Sequence, residues 1–295
     1  MTTRPVISLD QGRDYAFSAP LAALFWRHVI GYEPLIILAD TESDWTASRR
    51  SKVALDAMRH HGFDVRFVGH VEGYETGRIG QNAREHAGIY RDLAPDDWLM
   101  MSDADLWPLS RTYHRQHEGS AKRAVCLNGM LDHFQGRDVL LDRLARGVRF
   151  QTIPTCCVTM RVSDWRERYG LIAGADIAPA IKITLDWWTS TCIKENADRG
   201  FWMWMMDQDI VTHRIVTADW FPSGLELVER IPMRRLDRGE WNPGAMSESL
   251  DSHIFKRPDC EENWAKLREV VAMFAPSQLA WADAYRSDFR NSYAD

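Results

Sequence analysis

The sequence predicts an α/β protein in which a parallel sheet is covered by helices on both faces. Short apolar runs typical of buried strands alternate with longer segments that carry an apolar helical stripe. The strands are predicted at 5–9, 34–39, 63–68 and 98–101, and the helices between them at 15–30, 46–61 and 78–93. Because this alternation builds a doubly covered sheet, the opening part of the chain predicts a nucleotide-binding half-sheet.

The rest of the chain continues this pattern less regularly. Further strands are predicted at 121–127 and 150–161, and further helices at 176–198 and 203–216. Two helical segments between 260 and 291, broken at Pro276, predict a C-terminal helical extension. Because no repeat, linker or low-complexity tract interrupts the sequence, we expect one domain over 1–258 and the extension over 259–295.

Composition narrows the class of protein. The 36 Lys and Arg residues against 42 Asp and Glu give a net charge of −6, so no global basic field recruits nucleic acid or anionic membrane. Five cysteines without a C-x-x-C pair favour a reducing compartment. The N-terminus lacks the apolar stretch of a signal peptide, and no run of about 18 apolar residues exists to span a bilayer. We therefore expect a cytoplasmic protein without a transmembrane segment.

The most informative motif follows the fourth predicted strand, where Asp103 and Asp105 stand one residue apart. Ligands of open parallel sheets bind beyond the carboxyl ends of the strands, which is where these two carboxylates are expected. Paired carboxylates suit Mg²⁺ or Mn²⁺, ions that are commonly shared with the phosphates of a substrate. A solvated turn is the alternative. No glycine-rich phosphate loop follows any predicted strand, so a metal ion is the available phosphate holder.

Polar side chains on the preceding helix are expected near this motif. Arg78, Gln81 and Arg84 are spaced by three residues and therefore lie close to one helical face. Such a face can hold a diphosphate or a nucleobase, although a solvated helix face has the same pattern. Asp10, which ends the first predicted strand, is grouped with these residues.

Two later segments also contain candidate catalytic or ligand-binding residues. Asp207 and Asp209 form a second pair of carboxylates, framed by apolar residues, which favours a general base or a clamp for a sugar hydroxyl. The alternative is a helix N-cap with a surface acid. His253, three residues before Lys256, can supply a metal nitrogen beside a cation for phosphate, unless the histidine is structural.

In this order, these elements resemble the GT-A fold glycosyltransferases, which use a nucleotide-sugar donor. The resemblance rests on the segment 102–109 with its Asp-x-Asp motif, on the preceding helix, on 207–209, and on His253 with Lys256, and it spans roughly residues 5–258. It implies a mixed sheet flanked by helices, with a nucleotide-binding half over about 1–110 and an acceptor half over about 111–258.

The resemblance also implies roles for these residues. The implied metal ligands for Mn²⁺ or Mg²⁺ are Asp103, Asp105 and His253. The implied donor site comprises Asp10, Arg78, Gln81, Arg84, Asp103, Asp105 and Lys256. Asp209 or Asp207 would be the catalytic carboxylate, and we favour Asp209. In inverting members this carboxylate would act as the base, and in retaining members it would contact the transferred sugar. The family's glycine between histidine and lysine, in His-x-x-Gly-x-x-Lys-Pro, is missing here, which puts His253 as a ligand in question.

The function implied is metal-dependent transfer of a hexosyl or pentosyl group from a nucleoside-diphosphate sugar, most commonly a UDP-sugar in the family. The acceptor stays open among a glycan, a protein, a lipid and a modified base, as does the oligomeric state. One rival is a sugar nucleotidyltransferase, which usually carries a glycine-rich signature after its first strand and matches residues 10–13 poorly. The other is a non-catalytic protein that binds a nucleotide sugar.

Overall fold

The computed structural model of the protein describes residues 1–129, 142, 152–192, 206–229, 235–239 and 241–293. Its strands are β1 (Thr3–Leu9), β2 (Leu35–Leu38), β3 (Asp64–Phe67), β4 (Trp98–Ser102), β5 (Leu106–Pro108), β6 (Ala124–Gly129), β7 (Val158–Arg161), β8 (Leu225–Glu229), β9 (Arg235–Asp237) and β10 (Asp251–His253). Its α-helices are α1 (Arg13–Phe25), α2 (Glu42–Ala47), α3 (Arg49–His60), α4 (Thr76–Asn82), α5 (Arg111–His114), α6 (Val162–Tyr169), α7 (Ile177–Cys192), α8 (Met206–Val216), α9 (Glu261–Phe274) and α10 (Leu279–Asn291).

A seven-stranded sheet organises the described residues in the order β3-β2-β1-β4-β7-β6-β8. The first four of these strands run parallel, whereas β7 runs antiparallel to both β4 and β6. Strands β2 and β4 are buried along their whole length, as expected for apolar strands covered on both faces. The predicted mixed α/β sheet flanked by helices is therefore confirmed.

A second sheet, of three short strands in the order β5-β10-β9, lies outside the sequence prediction. Strand β10 pairs antiparallel with β5 and parallel with β9. These pairings set His253 opposite Leu106 on one side and opposite Asp237 on the other. Because Leu106 directly follows Asp105, this small sheet brings distant parts of the chain to the end of β4.

Several predicted elements differ from the structure at points with a local cause. The helix predicted over 46–61 is split into α2 and α3 by Ser48, whose backbone is extended. The helix predicted over 78–93 is α-helical only as far as Asn82 and continues as a 3₁₀ helix to Ile89. Of the described residues in the strand predicted over 150–161, only those of β7 form a strand, because Cys157 has a φ of 83° that a strand cannot accommodate.

Parts of the remaining predictions fall on residues that the structure does not describe. Residues 150–151, 193–198 and 203–205, which belong to a predicted strand and two predicted helices, lie outside the described residues. The described parts of those two helices form α7 and α8.

The predicted C-terminal extension is present as α9 and α10, which pack on α1. The ring of Phe17 stacks on that of Tyr285 at 5.3 Å between centroids and meets the edges of the Trp264 and Phe289 rings. Arg13 adds an ion pair with Asp259, in which Nη2 donates to both carboxylate oxygens at 2.9 Å. Among the described helices, none combines the length and apolar character that a bilayer span requires.

Helix α4 lies unusually close to the end of β1 at Gly80. A Cβ at this position would lie 2.7 Å from both the backbone nitrogen of Asp10 and the carbonyl carbon of Leu9. We therefore expect Gly80→Ala to lower the free energy of unfolding by about 1–3 kcal/mol, because the helix must move away from the strand. Urea denaturation measures this loss.

Gly77, in the same helix, is the matched control. Its Cβ would meet only the Asp10 carboxylate, at 3.4 Å. We expect Gly77→Ala to be neutral or slightly stabilising, since alanine favours the helix. Equal losses in the two variants would show that close contact with β1 is not the reason for a glycine at position 80.

Candidate donor and metal site

The two aspartates of the Asp-x-Asp motif lie in the turn that joins β4 to β5. Strand β4 is fixed between β1 and β7, so its carboxyl end has a defined position. Ala104, between the aspartates, is buried in the core, whereas the side chains of Asp103 and Asp105 remain 29% and 14% exposed. The sheet thus delivers both carboxylates to an accessible edge, as the sequence predicts.

His253 reaches Asp105 through the second sheet. The amide of Ile254 donates a 2.9 Å hydrogen bond to the carbonyl of Asp105, which fixes the end of β10 beside the motif. His253 Nε2 then lies 3.4 Å from Asp105 Oδ2, and its Nδ1 lies 3.8 Å from Asp237 Oδ2. Burial lowers the pKa of His253, but the hydrogen bond to Asp105 and the charges of Asp105 and Asp103 outweigh it and raise the pKa.

These three side chains fit a divalent cation. One ligand atom from each of Asp103, Asp105 and His253 lies within 4.8 Å of the other two. Two carboxylate oxygens with one imidazole nitrogen form a donor set suited to Mn²⁺, and the carboxylates also suit Mg²⁺. The missing family glycine therefore does not keep His253 away from the aspartates.

Among the described residues, Asp40, Asp44 and His70 also bring one ligand atom each within 4.8 Å of the other two. Asp44 forms a capping box with Thr41 at the start of α2, which already occupies one of its oxygens. His70 is 70% exposed. This group lies at the ends of β2 and β3, apart from the Asp-x-Asp turn.

Arg84 joins the Asp-x-Asp motif to the later acidic segment. Its guanidinium is buried and donates to Asp103, to Asp207 at 2.5 Å and to Thr155 at 3.1 Å. The 3₁₀ turn that carries it is fixed to β1, because the Arg84 amide donates to the Ser8 hydroxyl at 3.2 Å. The Arg84 guanidinium therefore bridges two carboxylates, those of Asp103 and Asp207, that stand far apart in the sequence.

The two bridged carboxylates have opposite pKa shifts. Burial raises the pKa of Asp103, but the charge and hydrogen bond of Arg84 outweigh it and lower the pKa. Burial raises the pKa of Asp207, and the neighbouring charge of Asp103 adds to this despite Arg84. Asp103 is thereby kept ionised, as a metal ligand must be, whereas Asp207 holds a proton more readily than an ordinary aspartate.

Asp207 and Asp209 both lie buried in the first turn of α8. Asp207 accepts hydrogen bonds from Gln81 Nε2 and from the Gln208 amide, each 2.9 Å long, and from Thr155 at 3.1 Å. Since Asp209 is also buried, the alternative of an N-cap with a surface acid does not describe this pair. Gln81 and Arg84 thus meet at Asp207.

Comparison with known structures agrees with this architecture. No family model matches the sequence, and no curated protein matches it. The galactosyltransferase LgtC, in a crystal structure with donor and acceptor sugar analogues, is similar over 97% of this chain and 99% of its own, with a TM-score of 0.50 and 15% identity. The chain has the GT-A fold.

Two further structures align with lower scores. The glycosyltransferase GlyE of Streptococcus pneumoniae TIGR4 is 11% identical, with a TM-score of 0.46, over 97% of this chain and 64% of GlyE. The Francisella tularensis enzyme 2-C-methyl-D-erythritol 4-phosphate cytidylyltransferase is 10% identical, with a TM-score of 0.39, over 90% of this chain and all of the cytidylyltransferase. The assignment of the GT-A fold rests on LgtC.

Within this GT-A fold, three predicted donor residues stand apart from the network at Arg84. Asp10 directly follows β1, and its carboxylate accepts a 2.9 Å hydrogen bond from the Gly12 amide. The side chain of Arg78 is half-buried and that of Lys256 is exposed, and neither side chain forms a hydrogen bond or ion pair with another described residue. Their predicted roles stay predictions.

Three residues at the site were missed by sequence reasoning. Arg238, just after β9, has its Nη1 3.5 Å from Asp105 Oδ2. Arg235, in β9, forms a bidentate pair with Asp251 at 2.5 and 3.0 Å. Tyr15, in the first turn of α1, has its pKa raised by burial and by the charges of Asp105 and Asp103. Arginines at 234, 235 and 238 mark a basic segment, but no strand periodicity in the sequence indicates β9.

A buried acid lies behind Asp207. Glu85 is fully buried and accepts a 2.9 Å hydrogen bond from the Tyr169 hydroxyl. Burial, together with the charge of Asp207, raises its pKa well above the ordinary value. Glu85 therefore holds a proton much more readily than an ordinary glutamate does.

Proposed function

We propose that this protein is a metal-dependent glycosyltransferase that moves a hexosyl or pentosyl group from a nucleoside-diphosphate sugar, with uridine diphosphate as the first nucleotide to test. The observation that carries the proposal is the convergence of Asp103, Asp105 and His253 within 4.8 Å at the carboxyl end of β4. The GT-A fold supports it, because its Asp-x-Asp turn stands where open α/β sheets bind ligands.

Each element of the site has a chemical part in this proposal. A divalent ion held by Asp103, Asp105 and His253 would supply Lewis-acid stabilisation of the negative charge on the leaving diphosphate. Arg84 holds the Asp103 carboxylate in place and keeps it ionised. The same guanidinium orients Asp207, so the Asp-x-Asp turn and the first turn of α8 are held in a fixed position relative to each other.

The acidic segment would act on the sugar or on the acceptor hydroxyl. The raised pKa of Asp207 suits a group that accepts a proton in an inverting reaction, and its fixed orientation suits a sugar contact in a retaining one. The sequence favours Asp209 for direct chemistry. Since Arg84 ties Asp207 to the donor side, we propose Asp207 as the acid that contacts the transferred sugar, with Asp209 beside it in the first turn of α8.

Thermal denaturation with UDP, GDP, ADP and CDP, each with Mn²⁺ or with EDTA, tests the proposal. We expect at least one diphosphate to stabilise the protein only with Mn²⁺, by about 2.7 kcal/mol at 100 times its dissociation constant. The matching nucleotide sugar should then release its nucleoside diphosphate slowly, by hydrolysis, in the absence of an acceptor.

Other outcomes would contradict the proposal. If no nucleoside diphosphate stabilises the protein with Mn²⁺, the proposed donor site is wrong. Binding without any release of diphosphate would favour the non-catalytic alternative. Release of pyrophosphate from a nucleoside triphosphate and a sugar phosphate would instead show a nucleotidyltransferase.

A further inference from the structure

We infer that Arg238, rather than Lys256, is the side chain that binds a phosphate oxygen of the departing nucleoside diphosphate. This inference rests on the proposed function and names the residue that neutralises charge beside the metal site. It starts from the Arg238 guanidinium, whose Nη1 lies 3.5 Å from Asp105 Oδ2 at the end of the second sheet.

The fold fixes the position of Arg238. Strand β9 ends at Asp237, which pairs in register with His253 of β10. The amide of Gly239 donates a 3.0 Å hydrogen bond to the Asp237 carboxylate, so the turn that contains Arg238 is closed on itself. Because His253 also lies opposite Leu106 of β5, the ends of three strands place Arg238 beside the Asp-x-Asp turn.

The other two arginines of this region already form ion pairs with buried carboxylates. Arg84 is only 5% exposed and is bonded to Asp103, Asp207 and Thr155. Arg235 is 9% exposed and is held by both carboxylate oxygens of Asp251. Neither guanidinium can turn towards a new anion without leaving a buried carboxylate unpaired, which is strongly unfavourable.

Arg238 has the opposite properties. Its side chain is 35% exposed, so a ligand can reach it. Its 3.5 Å approach to Asp105 is longer than an ordinary hydrogen bond, so the contact can be exchanged for a phosphate oxygen. The planar guanidinium also matches two oxygens of a phosphate at once, which an ammonium group does not.

Lys256 lacks comparable contacts. It follows β10 by three residues, and its exposed side chain forms no hydrogen bond or ion pair with any other residue that the structure describes. The spacing between His253 and Lys256 is shorter than in the family pattern that places a lysine at the diphosphate. The neighbouring turn after β9 supplies a cation at 3.5 Å from Asp105 instead.

The test compares Arg238→Gln, Lys256→Gln and the control Arg59→Gln, an exposed arginine of α3 paired with Glu42. Calorimetry measures, at saturating Mn²⁺, the affinity for the diphosphate that binds the wild type most tightly among UDP, GDP, ADP and CDP. The same titration is made with the corresponding monophosphate, and the affinity for Mn²⁺ alone is measured separately.

We expect Arg238→Gln to weaken diphosphate binding by on the order of 10- to 100-fold, as for the loss of one charge-assisted hydrogen bond. The affinities of this variant for the monophosphate and for Mn²⁺ should change by less than about threefold. An exposed arginine contributes little to them, because solvent and salt screen its charge. Lys256→Gln and Arg59→Gln should leave all three affinities within the same limit.

Three results would overturn the inference while leaving the proposed function intact. The first is unchanged diphosphate affinity in Arg238→Gln. The second is an equal or greater loss in Lys256→Gln. The third is a parallel loss of Mn²⁺ affinity in Arg238→Gln, which would show that Arg238 positions Asp105 instead of contacting phosphate. If the wild type binds no diphosphate with Mn²⁺, the proposed function fails first, and this inference fails with it.

Discussion

Replacing Asp105 by asparagine is expected to lower metal-dependent hydrolysis of the nucleotide-sugar donor by roughly 10²- to 10³-fold, the loss typical when one electrostatic stabiliser of a developing charge is removed. Asparagine keeps the shape of the side chain but removes the negative charge that a hard divalent ion requires. Stabilisation by the diphosphate should then no longer depend on Mn²⁺. Steady-state release of nucleoside diphosphate and thermal denaturation with and without Mn²⁺ measure the two effects.

The protein itself should stay folded in this variant. Asp105 lies in a turn at the edge of the sheet, and asparagine keeps a side-chain oxygen that can accept the hydrogen bond from His253. Asp56→Asn is the matched control, because Asp56 is an exposed acid paired with Lys52 in α3. Wild-type hydrolysis in Asp105→Asn, or an equal loss in Asp56→Asn, would contradict a metal-binding role for Asp105.

Replacing Arg84 by glutamine is expected to lower the free energy of unfolding by about 3–5 kcal/mol, the typical loss when one partner of a buried ion pair is removed. Arg84 and Asp207 are both almost fully buried, so the variant leaves Asp207 without its counter-charge. Urea denaturation at neutral pH measures the loss, and the exposed Arg59→Gln variant should change stability by less than about 1 kcal/mol.

This loss should depend on pH with a definite sign. The pKa of Asp207 is already raised above its usual value of 3.8, and the removal of Arg84 raises it further. A carboxyl group with a raised pKa in the folded state contributes stability below its unfolded pKa, and this contribution is lost as the pH rises through the folded pKa. The difference between wild type and Arg84→Gln should therefore be smallest near pH 4 and should increase towards neutral pH.

A double variant measures the interaction energy between Arg84 and Asp207. Asp207→Asn removes the buried charge that Arg84 compensates, so Arg84→Gln/Asp207→Asn should be more stable than Arg84→Gln alone. The coupling energy in the double-mutant cycle should lie within the roughly 0.5–3 kcal/mol found for residues in one network. Simple additivity of the two single losses, at every pH, would show that the Arg84–Asp207 contact does not stabilise the fold.

Most strands of the main sheet could be predicted because they are apolar over several residues, whereas β8 was not predicted. Strands such as β2 and β4 are buried on both faces, so nearly continuous runs of large apolar residues mark them in the sequence. Strands β5, β9 and β10 are only three residues long, and β9 and β10 carry polar side chains, so no periodicity distinguishes the three strands from loops. The small sheet that positions His253 was therefore missed, although His253 itself was recognised.

The sequence predicted individual residues of the site better than the contacts between them. Asp103 and Asp105 could be placed at the edge of the sheet, because the end of a buried strand fixes the position of the next few residues. The change from α4 to a 3₁₀ helix before Arg84 has no clear sequence signal, and it separates Arg84 from the helical face expected to include Arg78. The bond from Arg84 to Asp207 joins residues far apart in the chain, and only the fold determines such a pair.

Asp103, Asp105 and His253 are proposed to hold a divalent ion together at a nucleoside diphosphate. Anomalous diffraction from crystals grown with Mn²⁺ and the diphosphate that stabilises the protein locates such an ion. We expect a manganese peak among these three side chains, in contact with the diphosphate. No peak at that position, or a peak only at Asp40, Asp44 and His70, would contradict it.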